Sequence, residues 1–401
     1  MKKFYNFIFK SFALFSIIVS FIFLIIIFAS IIQKGYKAFY THHILLSITL
    51  TPDSNKDGPN LNKKIITFNA TINNALNKIS STYNINNVDN SILSINSSRI
   101  LENFLKSNPS ALNKKITIPL LLSSNADMLL KNDKRALNNL TQNEITFIET
   151  AKKNNLILQK INWLFFSNQD SRYPEIAGIK GALMGSLVTI VLTVIFSFII
   201  GVATAIYLQE FLIKGPSKSI IEVNISNLAA VPSIIFGLLG LSLFQNLLNI
   251  SRSSPLLASM VLTLMILPNI IVYSQLALST VPNSIKEAAF GIGASKNQVI
   301  FSHVLPLALP GIITGLIIGI SRALGETAPL LIIGMLAFAS NTNFTVLGAA
   351  TTLPTQILMW FNMPEVGFVE KTSAAIMILL LITILINLIA SYIRKKFTKK
   401  L

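Results

Sequence analysis

Cysteine is absent from the 401 residues and charge is scarce: 12% of the chain is Asp, Glu, Lys or Arg, with 16 acids against 33 bases. Without cysteine there is no disulfide framework, no thiol nucleophile and no Cys-based metal site. So little charge cannot clothe a soluble domain of this length, and 52% hydrophobic residues turn the chain toward a lipid bilayer. Histidine is almost missing, three in all, and the adjacent His42 and His43 have no carboxylate close by in sequence, so no metal is assigned to them. A phosphate-cradling P-loop is missing too. KGPSKS at Lys214–Ser219 has Gly and Lys-Ser but not G-x-x-x-x-G-K-[ST]. With no nucleophile–base constellation either, no catalytic residue is expected; the chain reads as a non-enzyme that binds no cofactor of its own. The net charge of +17 does not point to nucleic acid, because 18 of the 33 bases lie in residues 33–180 among ten acids and no basic cluster is interleaved with aromatics.

What the chain does have is long apolar runs. Ser11–Ile32 carries no charge over a length that crosses the roughly 30 Å hydrocarbon core at about 1.5 Å per residue. Gly181–Leu208, Asn224–Ile250, Pro255–Leu278, Leu307–Phe338 and Ser373–Ile393 follow, for six expected spans. With the N-terminus inside, the inner segments hold Lys2, Lys3, Lys10, Lys214, Lys218, Lys286, Lys296 and the basic tail from Arg394, while the short outer loops offer Arg252 and the border residue Lys371. Both termini are therefore expected in the cytoplasm; the long loop of residues 33–180 does not enter that count. MKKF followed by the first run also resembles a signal peptide, but the run exceeds an ordinary h-region and no small-x-small site follows, so an uncleaved anchor is expected.

The expected organisation is a tail and anchor (1–32), a periplasmic insert (33–180), a transmembrane permease domain (181–393) and a cytoplasmic tail (394–401). The insert holds 24 Asn. HHILLSITLT and KKITIPLLL alternate as strands do; ILENFLKS and DMLLKNDKRALNNLTQNEITFIETAKKNNL have helical periodicity, giving a small α+β domain.

Between two of the greasiest runs stands EAAFGIGASKNQVIFSHVLPLALPG, from Glu287. Ser284 with Glu287, and Ser295 with Gln298, have capping-box spacing, and Gly291 and Gly293 lie between the two helices so marked. Spacing alone leaves open a capped hairpin that merely links two spans. The full pattern of Glu287, Ala288, Ala289, Gly293, Leu305 and Pro306 resembles the EAA loop (279–306) of ABC importer permeases. IEVNISNLAAVPSIIFGLLGLSLF, ILPNII, VPNSIKEAAFGIGAS and SRALGETAPLL together resemble the phosphate importer permeases of PstA type, over about Gly181–Tyr392. Ala230, Ser274-Gln275 and His303 depart from the usual pattern.

The resemblance implies an all-α, MetI-like type I importer core in the inner membrane carrying the outer insert. It implies a second, PstC-type permease, a dimer of ATPase subunits that use ATP and Mg and grip the EAA loop, and a periplasmic phosphate-binding protein that delivers phosphate. A permease for another solute, an ATP-independent secondary transporter or channel, and a sensory membrane protein are the alternatives. Two further expectations concern the fifth run. Gly311, Gly315 and Gly319 recur every fourth residue and mark a groove for close helix packing. Arg322, about fifteen residues or roughly 22 Å into that run, would sit near the membrane middle. Glu326 one turn later is its expected partner, Thr327 follows, and Pro329 would bend the helix there; these residues are assigned to the solute path.

Overall fold

A computed structural model describes residues 2–49, 61–85, 88–111, 114–213, 215–335 and 345–398. The chain divides into two compact units, Met1–Gly178 with Trp360–Met377, and Ile179–Met359 with Ile378–Leu401.

In the first unit α1 (Lys2–Gly35) is a long apolar rod with no buried residue in its most apolar window, as expected of a helix that faces lipid all round. Beyond it the chain forms an antiparallel sheet in the order β2-β1-β3, from β1 (Tyr40–Thr49), β2 (Lys115–Leu121) and β3 (Ile157–Ile161). Ile44, Leu46 and Ile48 alternate inward along β1 and meet Ile72 and Leu76 of α2 (Leu61–Thr82), Leu101 of α3 (Ser97–Ser107) and Phe147 of α5 (Gln142–Lys153). That one-sided burial gives β1 its period of two. The helices α4 (Ser124–Leu130) and α6 (Trp163–Ser167) complete the insert. The strands β1 and β2 overlap the two segments expected as strands, of which residues 50–51 lie outside the described residues; β3 was not anticipated, because its five residues are mostly exposed and show no alternation.

Opposite charges lock the same unit. The buried Lys131 ammonium lies 2.7 Å from Asp127 and 2.9 Å from Glu370, and caps the Tyr40 ring at 4.9 Å. Asp127 also accepts from the His42 backbone N–H at 2.9 Å and lies 2.8 Å from His42 Nδ1. His42 thus has a carboxylate partner after all, 85 residues away and invisible to local spacing. Burial works against charge on Asp127, yet its hydrogen bond to His42 and the Lys131 ammonium hold its carboxyl below the ordinary range.

In the second unit α7 (Lys180–Ile206), α10 (Pro255–Ser279) and α13 (Leu305–Gly325) pack together. Here α8 (Pro216–Ala229) and α9 (Ser233–Gly240) replace the expected straight third span. They meet at 101°, so the described residues hold five helices long and apolar enough to cross a membrane, and six spans if this bent pair counts as one. The break is at Ala230-Val231-Pro232: Pro232 has no N–H to give the preceding turn, and its ring drives Val231 out of the helical region. After α11 (Asn283–Gly291) and α12 (Lys296–Val299), the chain passes through a π-turn at Ile300–Val304 directly into α13. Short α14 (Ala328–Ile332) and α15 (Leu353–Phe361) precede the long last helix, α16 (Gly367–Thr398).

Candidate coupling loop and solute path

The loop from Pro282 to Pro306 is two helices joined by a glycine turn. α11 follows Pro282, with no side chain capping it. The expected Ser284–Glu287 capping box does not form: the helix begins at Asn283, so Ser284 is already inside it and Glu287 lies in its middle, exposed. The second box forms as spaced: Ser295 N–H donates to Gln298 Oε1 at 2.8 Å, and Gln298 N–H donates to Ser295 Oγ at 3.5 Å. Between them α11 closes in a Schellman turn, with Gly293 N–H on Phe290 O at 2.9 Å and Ala294 N–H on Ala289 O at 3.1 Å. Gly293 sits at φ +88°, a backbone region that suits glycine.

The loop is anchored on its inner side only. Ala289, Val299, Ile300 and Val304 are buried with Val202, Ala205 and Leu208 at the end of α7. Lys286 reaches Glu210 at 2.6 Å, and the Lys296 ammonium lies 4.8 Å from the centre of the Phe211 ring. Outward it presents Glu287, Ala288, His303 and three large apolar side chains, Phe290, Phe301 and Ile292, the last 84% exposed. Leu305 and Pro306, expected to end the interruption, do not end a helix; Lys296–Gly325 runs on across them as one 30-residue piece. The π-turn accommodates the missing Pro306 N–H. Sequence reading missed Glu210 and Phe211. The available signal was an acid just beyond the Gly181–Leu208 run, with a lysine in the loop to pair with it.

Gly311, Gly315 and Gly319 of α13 all face α10. A Cβ on Gly311 would stand 2.6 Å from Ala277 Cβ, one on Gly315 would overlap Tyr273 Cβ, and one on Gly319 would meet Ile270 at 3.5 Å.

Arg322 and Glu326 form a pair, Nε to Oε1 at 3.5 Å, but not within one helix. α13 stops at Gly325, Glu326 is its extended C-cap, and Pro329 opens α14. A Pro that cannot donate, four residues beyond a Gly, ends the helix where a bend was expected. Arg322 is thus in the last turn of α13 and not midway along an unbroken Leu307–Phe338 span, whose far end lies outside the described residues. The break packs on the other broken element: a Cβ on Gly237 of α9 would stand 2.9 Å from Pro329 Cα. Thr327, half-buried, stands between Glu326 and Pro329.

The family described as binding-protein-dependent transport system inner membrane component matches residues 197–400, half the chain. The phosphate transport system permease protein PstA of Mycobacterium leprae is 32% identical over 226 residues, 56% of this chain and 73% of that protein. The chain belongs to the PstA-type transport permeases. PstA 1 of Mycobacterium tuberculosis is likewise 32% identical over 225 residues, 56% of this permease and 72% of the relative. A family described as a domain of unknown function (DUF3333) matches residues 5–138. Among solved structures, a chain of the inward-facing methionine ABC transporter MetNI aligns over 55% of this chain and 95% of its own, at 18% identity and TM-score 0.44. The permease is a multi-pass inner-membrane component of binding-protein-dependent transport.

Proposed function

We propose that this chain is one of two permease subunits of an ATP-driven phosphate importer, and that it forms half of the phosphate path. The observation that carries the solute is the 32% identity to phosphate permeases over more than half the chain. In this reading both termini are cytoplasmic, the partner permease is PstC-type, and a periplasmic binding protein delivers phosphate from outside.

A helix in lipid cannot offer a soluble motor any surface, so the contact has to project. The loop has the form that task needs, buried on one side through Ala289, Val299 and Val304, with Phe290, Ile292 and Phe301 exposed on the other. The partner ATPase dimer, using ATP and Mg, would close around the loop and move it; α12, the π-turn and α13 would carry that motion to Arg322 in one continuous rod. Hydrolysis would reset it. The path reading of Arg322, Glu326 and Thr327 draws support from the helix break: non-helical backbone at membrane depth is tolerated where it is buried in protein or lines a wet cavity, and interrupted helices often line solute sites. Arg322 offers the planar fork suited to an oxyanion, and Glu326 holds it.

The test is uptake by the reconstituted complex with phosphate, sulfate and molybdate compared. Phosphate-selective, ATP-dependent uptake is expected. Preference for another oxyanion overturns the solute, and uptake without the ATPase overturns the class.

A further inference from the structure

The first unit contains a cavity of ≈ 470 Å³ with a polar, cation-free lining. Six serines and three asparagines surround it, with the carboxyl residues Glu175 and Glu365 and the aromatic Tyr173; none of the lining residues is Lys, Arg or His. All of these residues belong to the first unit. Two of its lining residues, Asn90 and Ser123, each carry a buried side-chain oxygen (Oδ1 and Oγ) without a hydrogen-bond partner among the described residues. Ser123 is the N-cap of α4, a position where a hydroxyl ordinarily satisfies a helix N–H, yet it makes no such bond. Buried orphan atoms are rare because each is desolvated for nothing, and Asn90 and Ser123 can satisfy theirs by turning toward a guest in the cavity.

We infer that this cavity is a binding site for a small, neutral, hydroxyl-rich molecule of monosaccharide or polyol class.

The lining selects this chemistry. Serine hydroxyls and asparagine carboxamides both donate and accept, as a sugar hydroxyl does. Asn90 Oδ1 requires a donor, which a fully ionised anion lacks. An anion would also meet two carboxyl residues with no cation among the lining residues to offset them. Glu175 is buried, accepts from Ser94 Oγ at 3.3 Å, and burial pushes its carboxyl above the ordinary range, so it tends toward the neutral acid that suits a neutral guest. Tyr173, about half exposed, offers a ring face to the C–H side of a sugar. The volume falls within the roughly 300–1,000 Å³ of ligand pockets. Gly367 keeps the wall close, since a Cβ there would overlap Ser124 Oγ and stand 2.8 Å from Pro174 Cβ.

The experiment is saturation-transfer NMR on the full chain in lipid nanodiscs, with glucose, N-acetylglucosamine, myo-inositol and inorganic phosphate as separate probes. At least one neutral probe is expected to bind saturably. The double variant Ser123→Ala with Asn90→Leu should weaken that binding tenfold or more without lowering the thermal midpoint, because removing unpartnered buried atoms takes no native bond away. The inference is overturned if no neutral probe binds, if phosphate alone binds, or if the double variant binds as the parent does. Lost binding together with a lowered midpoint also overturns it, for the two atoms would then be part of the fold.

Discussion

Arg322 and Glu326 face each other across a helix end, and the pair is looser and more open than a purely structural bridge would require: 3.5 Å, with the arginine side chain 38% exposed. If the pair only pinned the helix, either order of charges would serve. If it meets phosphate, the cation must stay where it is. Arg322→Gln is therefore expected to abolish uptake with the complex assembled and the ATPase active, and the swap Arg322→Glu with Glu326→Arg should not restore it. Uptake at the parent rate by the swapped protein would remove both residues from the path. A second single residue contributes a pH dependence outside the membrane. Burial, aided by nearby Lys160, lowers the His43 pKa from 6.5 to about 4. The unfolded chain takes up a proton near pH 6.5 that folded His43 refuses until about pH 4. Its contribution is thus fully present above pH 6.5 and is lost as pH falls through that window. The loss is about 2 kcal/mol, the full shift scaled down for the ring's partial exposure. His43→Leu should flatten the difference between melting points at pH 6.5 and 4.5; an equal fall in both proteins would clear His43 of the effect.

At the scale of elements, what the sequence made legible were features that repeat or sit close together. Apolar length located the long helices α1, α7, α10, α13 and α16, alternation located β1 and β2, and Ser295 with Gln298 formed the capping box their spacing promised. What stayed hidden depends on single interruptions or on distant partners. The Val231-Pro232 break reads as an ordinary proline in a span until the 101° angle is seen. Glu326 reads as helical because four-residue spacing cannot show that Gly325 has ended the helix. Asp127 reaches His42, and Glu210 reaches Lys286, across gaps of 85 and 76 residues that no local pattern encodes. The four-residue spacing of Gly311, Gly315 and Gly319 was legible; their neighbour was not. Gly315 lies against Tyr273 with no room for a Cβ, so Gly315→Leu must push α13 from α10. Loss of complex yield or of uptake is expected from Gly315→Leu, and a milder defect from Gly319→Ala, where the approach is 3.5 Å. Parent-like yield and uptake in Gly315→Leu would show that the contact tolerates separation.

For the whole molecule the question is how a push on an exposed loop becomes motion of the membrane helices. Two links leave the loop: the continuous Lys296–Gly325 rod, and the clamp of Lys286 on Glu210 and Lys296 on Phe211 at the end of α7. If the clamp transmits force, the sign of each charge is immaterial provided that the two remain opposite. Glu210→Lys would set like charges face to face and loosen the grip of the loop on the end of α7, while Phe290, Ile292 and Phe301 stay available to the motor. The expected result is an assembled complex that still hydrolyses ATP but imports at least tenfold less phosphate per ATP, with the double variant Glu210→Lys and Lys286→Glu recovering most of the ratio. Gly293→Val should uncouple in the same direction by another route. It forces a branched side chain to φ +88°, at a cost of about 1–3 kcal/mol, and so reshapes the knob without touching the clamp. Glu287→Lys separates docking from folding, since Glu287 caps nothing and lies exposed; it should weaken ATPase co-purification and leave the melting point unchanged. Normal transport per ATP in Glu210→Lys would mean that α7 takes no part in transmission, and that the α13 rod alone carries the stroke.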